Sequence, residues 1–258
     1  MSTRARKPAA ADDGTGLIQI PGIPPSVEIL ADLRKSSDTI MLAFSCGKDA
    51  LGAFLQCRMA GFSVVPYFME VVPGLEFVNE SLDYFEKVLA CHIIRLPHPS
   101  FYRMLRNLVF QPPERCAILE AAEIVPIDYE DVRQAVIAQS GLSQDVFVAN
   151  GVRACDSIMR RVAIIKHSPL NFREHKVNAV WDWRKSKIMA EIAAAGIRLP
   201  VDYEMFGRTF DGIDWRFLAP IKERYPADYR KILDWFPLAD LEIFRRTLKG
   251  SKARGKAK

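Results

Sequence analysis

Ser45-Cys46-Gly47-Lys48-Asp49-Ala50 stands between an apolar run, Thr39-Ile40-Met41-Leu42-Ala43-Phe44, and an amphipathic stretch from Leu51 to Ala60. The run is β-branched and apolar, as a buried parallel strand is. Leu51, Phe54, Leu55 and Met59 fall at helical spacing, so the order reads strand, tight turn, helix. A turn in that place aims successive backbone N–H groups, and the positive end of the helix dipole, at one point. That makes an anion site. Gly47 permits close backbone approach, and Lys48 adds a charged donor for a phosphate. The spacing lacks the longer glycine loop that precedes Lys-Ser/Thr in P-loop nucleotide triphosphatases.

Composition bounds what surrounds this turn. With 258 residues, 49% of them hydrophobic, the chain can bury one large core. No stretch approaches the roughly 20 apolar residues of a membrane span, so no membrane partner is expected. Met1 to Gly16 carries basic residues but no apolar signal core, which predicts a cytoplasmic protein. Cys46, Cys57, Cys91, Cys116 and Cys155 are an odd, scattered set without a Cys-x-x-Cys pair. They argue against a disulfide framework, a zinc site or an iron–sulfur cluster, and read as reduced, buried thiols. The net charge of +5 resides in the last ten residues, which hold four lysines, Arg254 and no acid. Without them, 31 basic residues balance 31 acidic ones. The tail is expected to be disordered and able to touch nucleic acid or an acidic partner.

In chain order, Met1 to Gly16 reads as disordered, Ile20 to Pro25 as an extended linker, and Ser26 as the cap of a helix to Lys35. After the first strand–helix unit, Ser63 to Met69 reads as a strand, Phe77 to Ala90 as a helix and Cys91 to Leu96 as a third strand. That alternation predicts a parallel sheet with right-handed crossovers. Phe101 to Val109 reads as helical and is broken at Gln111-Pro112-Pro113-Glu114. An irregular excursion follows, then a helix from Asp128 to Gln139. Asp145 to Ala149 is the fourth strand and runs into Asn150-Gly151-Val152-Arg153. This second strand end is where open α/β sheets bind ligands. Arg153 can cap a phosphate or sulfate with a bidentate fork, and Ser157 can donate near a helix N-terminus. Arg160 and Arg161 cannot share a helix face, so at most one points into the site.

The hexapeptide at 45–50 resembles the PP-loop, Ser-Gly-Gly-x-Asp-Ser, of the adenine nucleotide α-hydrolase superfamily. Its Gly-Lys-Asp core looks most like the phosphoadenosine phosphosulfate (PAPS) reductase family. Gly151 to Arg161 resembles that family's Gly-x-Arg-x-x-Glu-Ser segment followed by arginines. Val177 to Trp183 looks like its last strand and Asp-Trp turn, before a helix from Lys185 to Ala195. Leu199 to Gly212 resembles its Pro-x-x-Tyr-x-x-Gly-x-Arg segment. The resemblance spans roughly Thr39 to Gly212. It implies a Rossmann-like, HUP-type parallel sheet with helices on both faces. The domain expectation is an N-terminal arm over 1–25, a nucleotide-binding domain over 26–212, a helical extension over 213–248 packed on the sheet edge, and a basic tail over 249–258.

The same resemblance implies a nucleotide site built from Ser45, Cys46, Gly47, Lys48, Asp49, Ala50, Gly151, Arg153, Ser157 and Arg160. ATP or PAPS is the nucleotide and magnesium the ion, positioned by Asp49; Lys48, Asp49 and Arg153 carry the catalysis. The chain also departs from the family. It has no cysteine after Cys155, and the Gly-Cys of sulfonucleotide reductases is Gly212-Ile213 here. Cys46 replaces a glycine and Ala50 a serine of the PP-loop. The leading expectation is ATP cleavage between the α and β phosphates, adenylating an unidentified acceptor in nucleic-acid or sulfur-linked modification. The alternatives are a PAPS reductase using Cys46 or Cys155, and a nucleotide-binding module without turnover. A homodimer is the expected assembly.

Overall fold

The computed structural model describes residues 15–246. The arm before residue 15 and the basic tail at Lys249–Lys258 lie outside these described residues. Six strands run β1 (Thr39–Ala43), β2 (Ser63–Glu70), β3 (Ile94–Pro97), β4 (Val148–Asn150), β5 (Leu170–Asn171) and β6 (Lys176–Asn178). They form a sheet in the order β3-β2-β1-β4-β6-β5. The pairs β1–β4, β2–β3 and β4–β6 are parallel, and β5–β6 is antiparallel. The fold is therefore α/β with a mostly parallel sheet, as the alternation of apolar runs and amphipathic stretches predicts.

The chain divides into two compact units, each assembled from separate segments. The first holds the described residues up to Phe44, with Lys48–Val65 and Asp145–Arg198. Its helices are α1 (Ser26–Arg34), α2 (Lys48–Met59), α7 (Ile158–His167) and α8 (Lys185–Ala194). Ile40, Met41 and Leu42 of β1 are fully buried, as are Ala149 and Ile188. Gly52 lets α2 approach α8 closely, since a Cβ there would lie 3.2 Å from Ile188 Cγ1.

The second unit holds Ser45–Gly47, Pro66–Gln144 and the described residues from Leu199 onward. Its helices are α3 (Glu76–Leu89), α4 (Pro99–Arg106), α5 (Pro113–Ala121), α6 (Tyr129–Ser140), α9 (Val201–Phe206), α10 (Trp215–Arg224) and α11 (Pro226–Trp235). Its core is aromatic. Phe77 meets Phe210 edge-on at 5.5 Å, Phe206 meets Phe217 at 5.0 Å, and Phe101 meets Phe236 at 6.0 Å. Helices α10 and α11 thus pack through α3, α4 and α9.

Several boundaries differ from expectation for local reasons. Pro112-Pro113 opens a helix instead of only ending one, because Pro113 occupies its first turn, where a missing N–H removes no bond. Ser26 is the first residue of α1, not its cap: Pro25 sits at the cap, and the Ser26 N–H donates to Asp182 Oδ2 at 3.0 Å. The helix after the first strand starts at Lys48, three residues before Leu51, so the lysine belongs to its first turn. Residues 15–18 are pinned to the first unit: Leu17 bridges Trp183, and the Ile18 N–H donates to Asp182 O at 2.7 Å. Strand β5 is two residues long, too short to leave a periodic signal in the sequence.

Candidate anion-binding site

Strands β1 and β4 lie side by side, Met41 opposite Val148 and Leu42 opposite Ala149. The chain leaves β1 toward β2 and β3, whereas β6 and β5 lie beyond β4, so the order reverses at this pair. Ligands in open α/β sheets bind at the carboxyl ends of strands at such a switch point. Both sequence segments singled out above, 45–50 and 151–160, begin there.

Gly151 rests on the first turn of α2. A Cβ at this position would fall 2.6 Å from both C and O of Asp49 and 3.0 Å from the Ala50 nitrogen. Only a glycine allows that backbone contact. Two further bonds hold the segment after β4: the Val152 N–H donates to Asn150 Oδ1 at 2.9 Å, and the Ala154 N–H to Trp181 O at 2.8 Å.

Side chains from the two strand ends then form a chain of alternating charge. Lys48 Nζ lies 2.7 Å from Asp49 Oδ2, and Asp49 Oδ1 lies 2.9 Å from Arg153 Nε. The second contact is an ion pair off the N–H direction, so it lacks a well-aligned hydrogen bond. Arg153 Nη2 donates to Asp156 Oδ1 at 2.6 Å, and Arg160 Nη1 donates to Asp156 Oδ2 at 2.6 Å. Three cations face two carboxylates. Arg153 is 5% exposed, so its charge is buried and must be paired, while Lys48 and Asp49 are partly exposed. Ser157 caps α7, its hydroxyl accepting the Arg160 N–H at 3.1 Å. Ala50 is buried, and Arg161 is exposed.

Ser45, Cys46 and Gly47 fall in the second unit and run directly into Lys48 along the chain. Cys46 has φ +58°, a left-handed conformation that glycine adopts freely and other residues resist. A Cβ on Gly47 would sit 3.2 Å from Thr209 Cγ2 and 3.7 Å from the Tyr203 hydroxyl. Ser45 and Cys46 also line a cavity of about 10 Å³ with Ser81 and Asp202. Asp202 is 5% exposed. Its Oδ2 accepts the Phe210 N–H at 2.8 Å, and its Oδ1 has no partner among the described residues. Burial raises its carboxyl from the ordinary aspartate value.

The thiols are poorly suited to nucleophilic work. Burial, with the Asp202 charge beside it, pushes the Cys46 thiol well above its ordinary value. Partial desolvation of the sulfur raises Cys155, whose Sγ donates to Trp183 O at 3.2 Å. The expectation of buried thiols fails for Cys155, which is exposed, and for Cys91 and Cys116, which are half-buried.

Sequence reading placed Lys48, Asp49, Gly151, Arg153 and Arg160 near one another, and the structure brings these five together. It missed Asp156, the carboxylate that ties Arg153 to Arg160. The signal was available in its spacing, three residues after one arginine and four before the other. Asp202, Tyr203 and Thr209 approach the loop from more than 150 residues away, which no spacing could reveal. Magnesium fits this cluster only as an ion carried by phosphates. Among the described residues no group of three His, Cys, Asp or Glu side chains is arranged to hold a metal. Asp49 and Asp156 supply the one or two carboxylates that such an ion uses.

No protein-family model matches the chain, and no curated protein matches it. Among solved structures, it is similar to an NH3-dependent NAD synthetase from Campylobacter jejuni in complex with the nitrate ion. Identity is 13%, the match covers 87% of this chain and 93% of that one, and the TM-score is 0.43.

Proposed function

We propose that this protein binds an adenine nucleotide at the β1/β4 switch point and cleaves ATP between its α and β phosphates, adenylating an acceptor. The observation that carries the reading is the convergence of Lys48, Asp49 and Arg153 at two adjacent strand ends, with Gly151 seated on the first turn of α2. Backbone N–H groups from Ser45 to Ala50 and the ammonium of Lys48 bind the leaving pyrophosphate. An acceptor nucleophile attacks the α-phosphorus, the bond to the bridging oxygen breaks, and pyrophosphate departs with the electron pair. Arg153 holds Asp49 in place and neutralises charge as it develops on the phosphates. Magnesium, held by Asp49 with the phosphates, would shield their charge.

In this reading Cys46 contributes backbone and Ala50 packing, while Ser157 and Arg160 bound the site from α7. Reduction of PAPS would need a thiolate, which burial disfavours at Cys46 and partial desolvation disfavours at the exposed Cys155. The ATP reading is therefore the one we carry.

Calorimetry and a pyrophosphate-release assay test it. Lys48→Ala should lower ATP affinity roughly tenfold to a hundredfold while leaving the melting temperature near wild type. Arg153→Ala is a poor probe, because it removes the buried cation that Asp49 and Asp156 share. Arg153→Lys keeps the charge and loses the fork, so it should slow pyrophosphate release more than it weakens ATP binding. Unchanged ATP affinity in Lys48→Ala would show that the nucleotide binds elsewhere.

A further inference from the structure

Helix α7 is ten residues long, and Ile164 is its single buried residue. Ile158 is 82% exposed, Met159 77%, Val162 51% and Ile165 57%. Ile158, Val162 and Ile165 repeat at i, i+4, i+7 and so form one stripe, with Met159 on its flank. At 3.6 residues per turn these three residues lie roughly 100–160° around the helix from Ile164, so the seat of α7 on its own unit leaves this face bare. Phe172, just past β5, is 68% exposed. Scattered exposed aliphatics need no explanation, but a helix with four of its five large apolar residues facing outward does.

Charge decides what this face fits. From Ile158 to Lys176 the chain carries Arg160, Arg161, Lys166, Arg173 and Lys176 against Glu174 alone. The chain before Lys249 is balanced as a whole, so this cationic excess is local and is offset elsewhere. Arg161 and Lys166 flank the stripe, are exposed, and make no ion pair among the described residues. A second copy of the chain would bring two cationic stripes together, which like-charge repulsion opposes. Nucleic acid would satisfy the cations but leave an aliphatic stripe without stacking partners. A segment with an apolar stripe and acidic flanks satisfies both features.

We propose that α7 is a docking surface for an amphipathic acidic helix of a partner protein, laid along Ile158, Val162 and Ile165 with its carboxylates on Arg161 and Lys166. This proposal is independent of the chemistry assigned to the anion site.

The test uses the full chain and three fluorescein-labelled synthetic peptides, each a helix with a leucine stripe and glutamate flanks in a different register. Fluorescence anisotropy near physiological salt should show saturable micromolar binding of at least one. Val162→Ser with Ile165→Ser should weaken it roughly tenfold or more. Arg161→Ala with Lys166→Ala should weaken it and flatten its salt dependence. These exposed substitutions should leave the melting temperature unchanged, so lost binding would report the surface and not the fold. Absence of binding by all three peptides overturns the proposal, as does equal binding of a lysine-flanked control. A wild-type dimer in sedimentation that Val162→Ser with Ile165→Ser dissolves would assign the face to a second copy. Tighter binding of a single-stranded oligonucleotide, lost with Arg161 and Lys166, would assign it to nucleic acid.

Discussion

Gly151 and Cys46 show how much of the site rests on single backbone positions. The room beside Gly151 is already filled by the Asp49 peptide, so Gly151→Ala must push two strand ends apart. Overpacking of this kind costs about 1–3 kcal/mol, and the variant should melt several degrees lower and bind nucleotide weakly. Cys46 presents the opposite case. Its left-handed φ means that Cys46→Gly relieves backbone strain as it gives up thiol packing, and the two nearly cancel. Cys46→Val puts a β-branched residue in the same conformation and should be clearly destabilised. Denaturant melts of the pair separate backbone strain from side-chain loss. If Cys46→Val were as stable as wild type, the turn would have to adopt another conformation.

Helix starts in this protein are held by buried aspartates from distant segments. Asp228 of α11 is fully buried and accepts the Glu76 N–H at 2.8 Å and the Phe77 N–H at 3.1 Å, at the first turn of α3. Asp182 does the same for Ser26 of α1. Asp228→Ala leaves two helical N–H groups without their acceptor, at a cost of about 2 kcal/mol or more, while Lys231 keeps its bond to Gly74 O. Chemical denaturation should show that loss, with Asp228→Asn losing less. In α9, Asp202 makes stability depend on pH. Its folded carboxyl binds a proton more tightly than the unfolded chain does. Its contribution is therefore full below the unfolded pKa and fades as pH rises through the folded value. Asp202→Asn should match wild type in acid and exceed it at neutral pH, because an amide still accepts the Phe210 N–H. A stability difference that stays constant from acid to neutral pH would contradict this.

At the scale of the whole chain, neither unit is a continuous stretch of sequence. The second needs its last segment: Phe217, Leu218, Ile221, Ile232 and Phe236 are all nearly or fully buried. Gln111 Nε2 donates to Trp235 O at 2.8 Å, tying that segment to the middle of the chain. A fragment ending at residue 212 would expose Phe77 and Phe101. It should aggregate or lack a cooperative melt in calorimetry, whereas the full chain melts cooperatively. Among the described residues no helix is long and apolar enough to cross a membrane.

Local chemistry was enough to read the framework. The apolar run at Thr39–Phe44, the turn at Ser45–Ala50 and the helical spacing beyond it act within a few residues of one another. The same holds for Asp128, which caps α6 three residues from Asp131. Those contacts are written in sequence because the chain cannot separate their partners. The two-residue β5, the helix opened by Pro113, and the carboxylates of Asp182, Asp202 and Asp228 were beyond that reach. The strand is too short for a periodic signal, and the helix start is hidden by its prolines. The aspartates depend on partners 8 to more than 150 residues away, which only the packed fold brings together. The bare face of α7 belongs with them. Its pattern of Ile158, Val162 and Ile165 looks like a core stripe in sequence, and burial alone shows that the core lies on the other side.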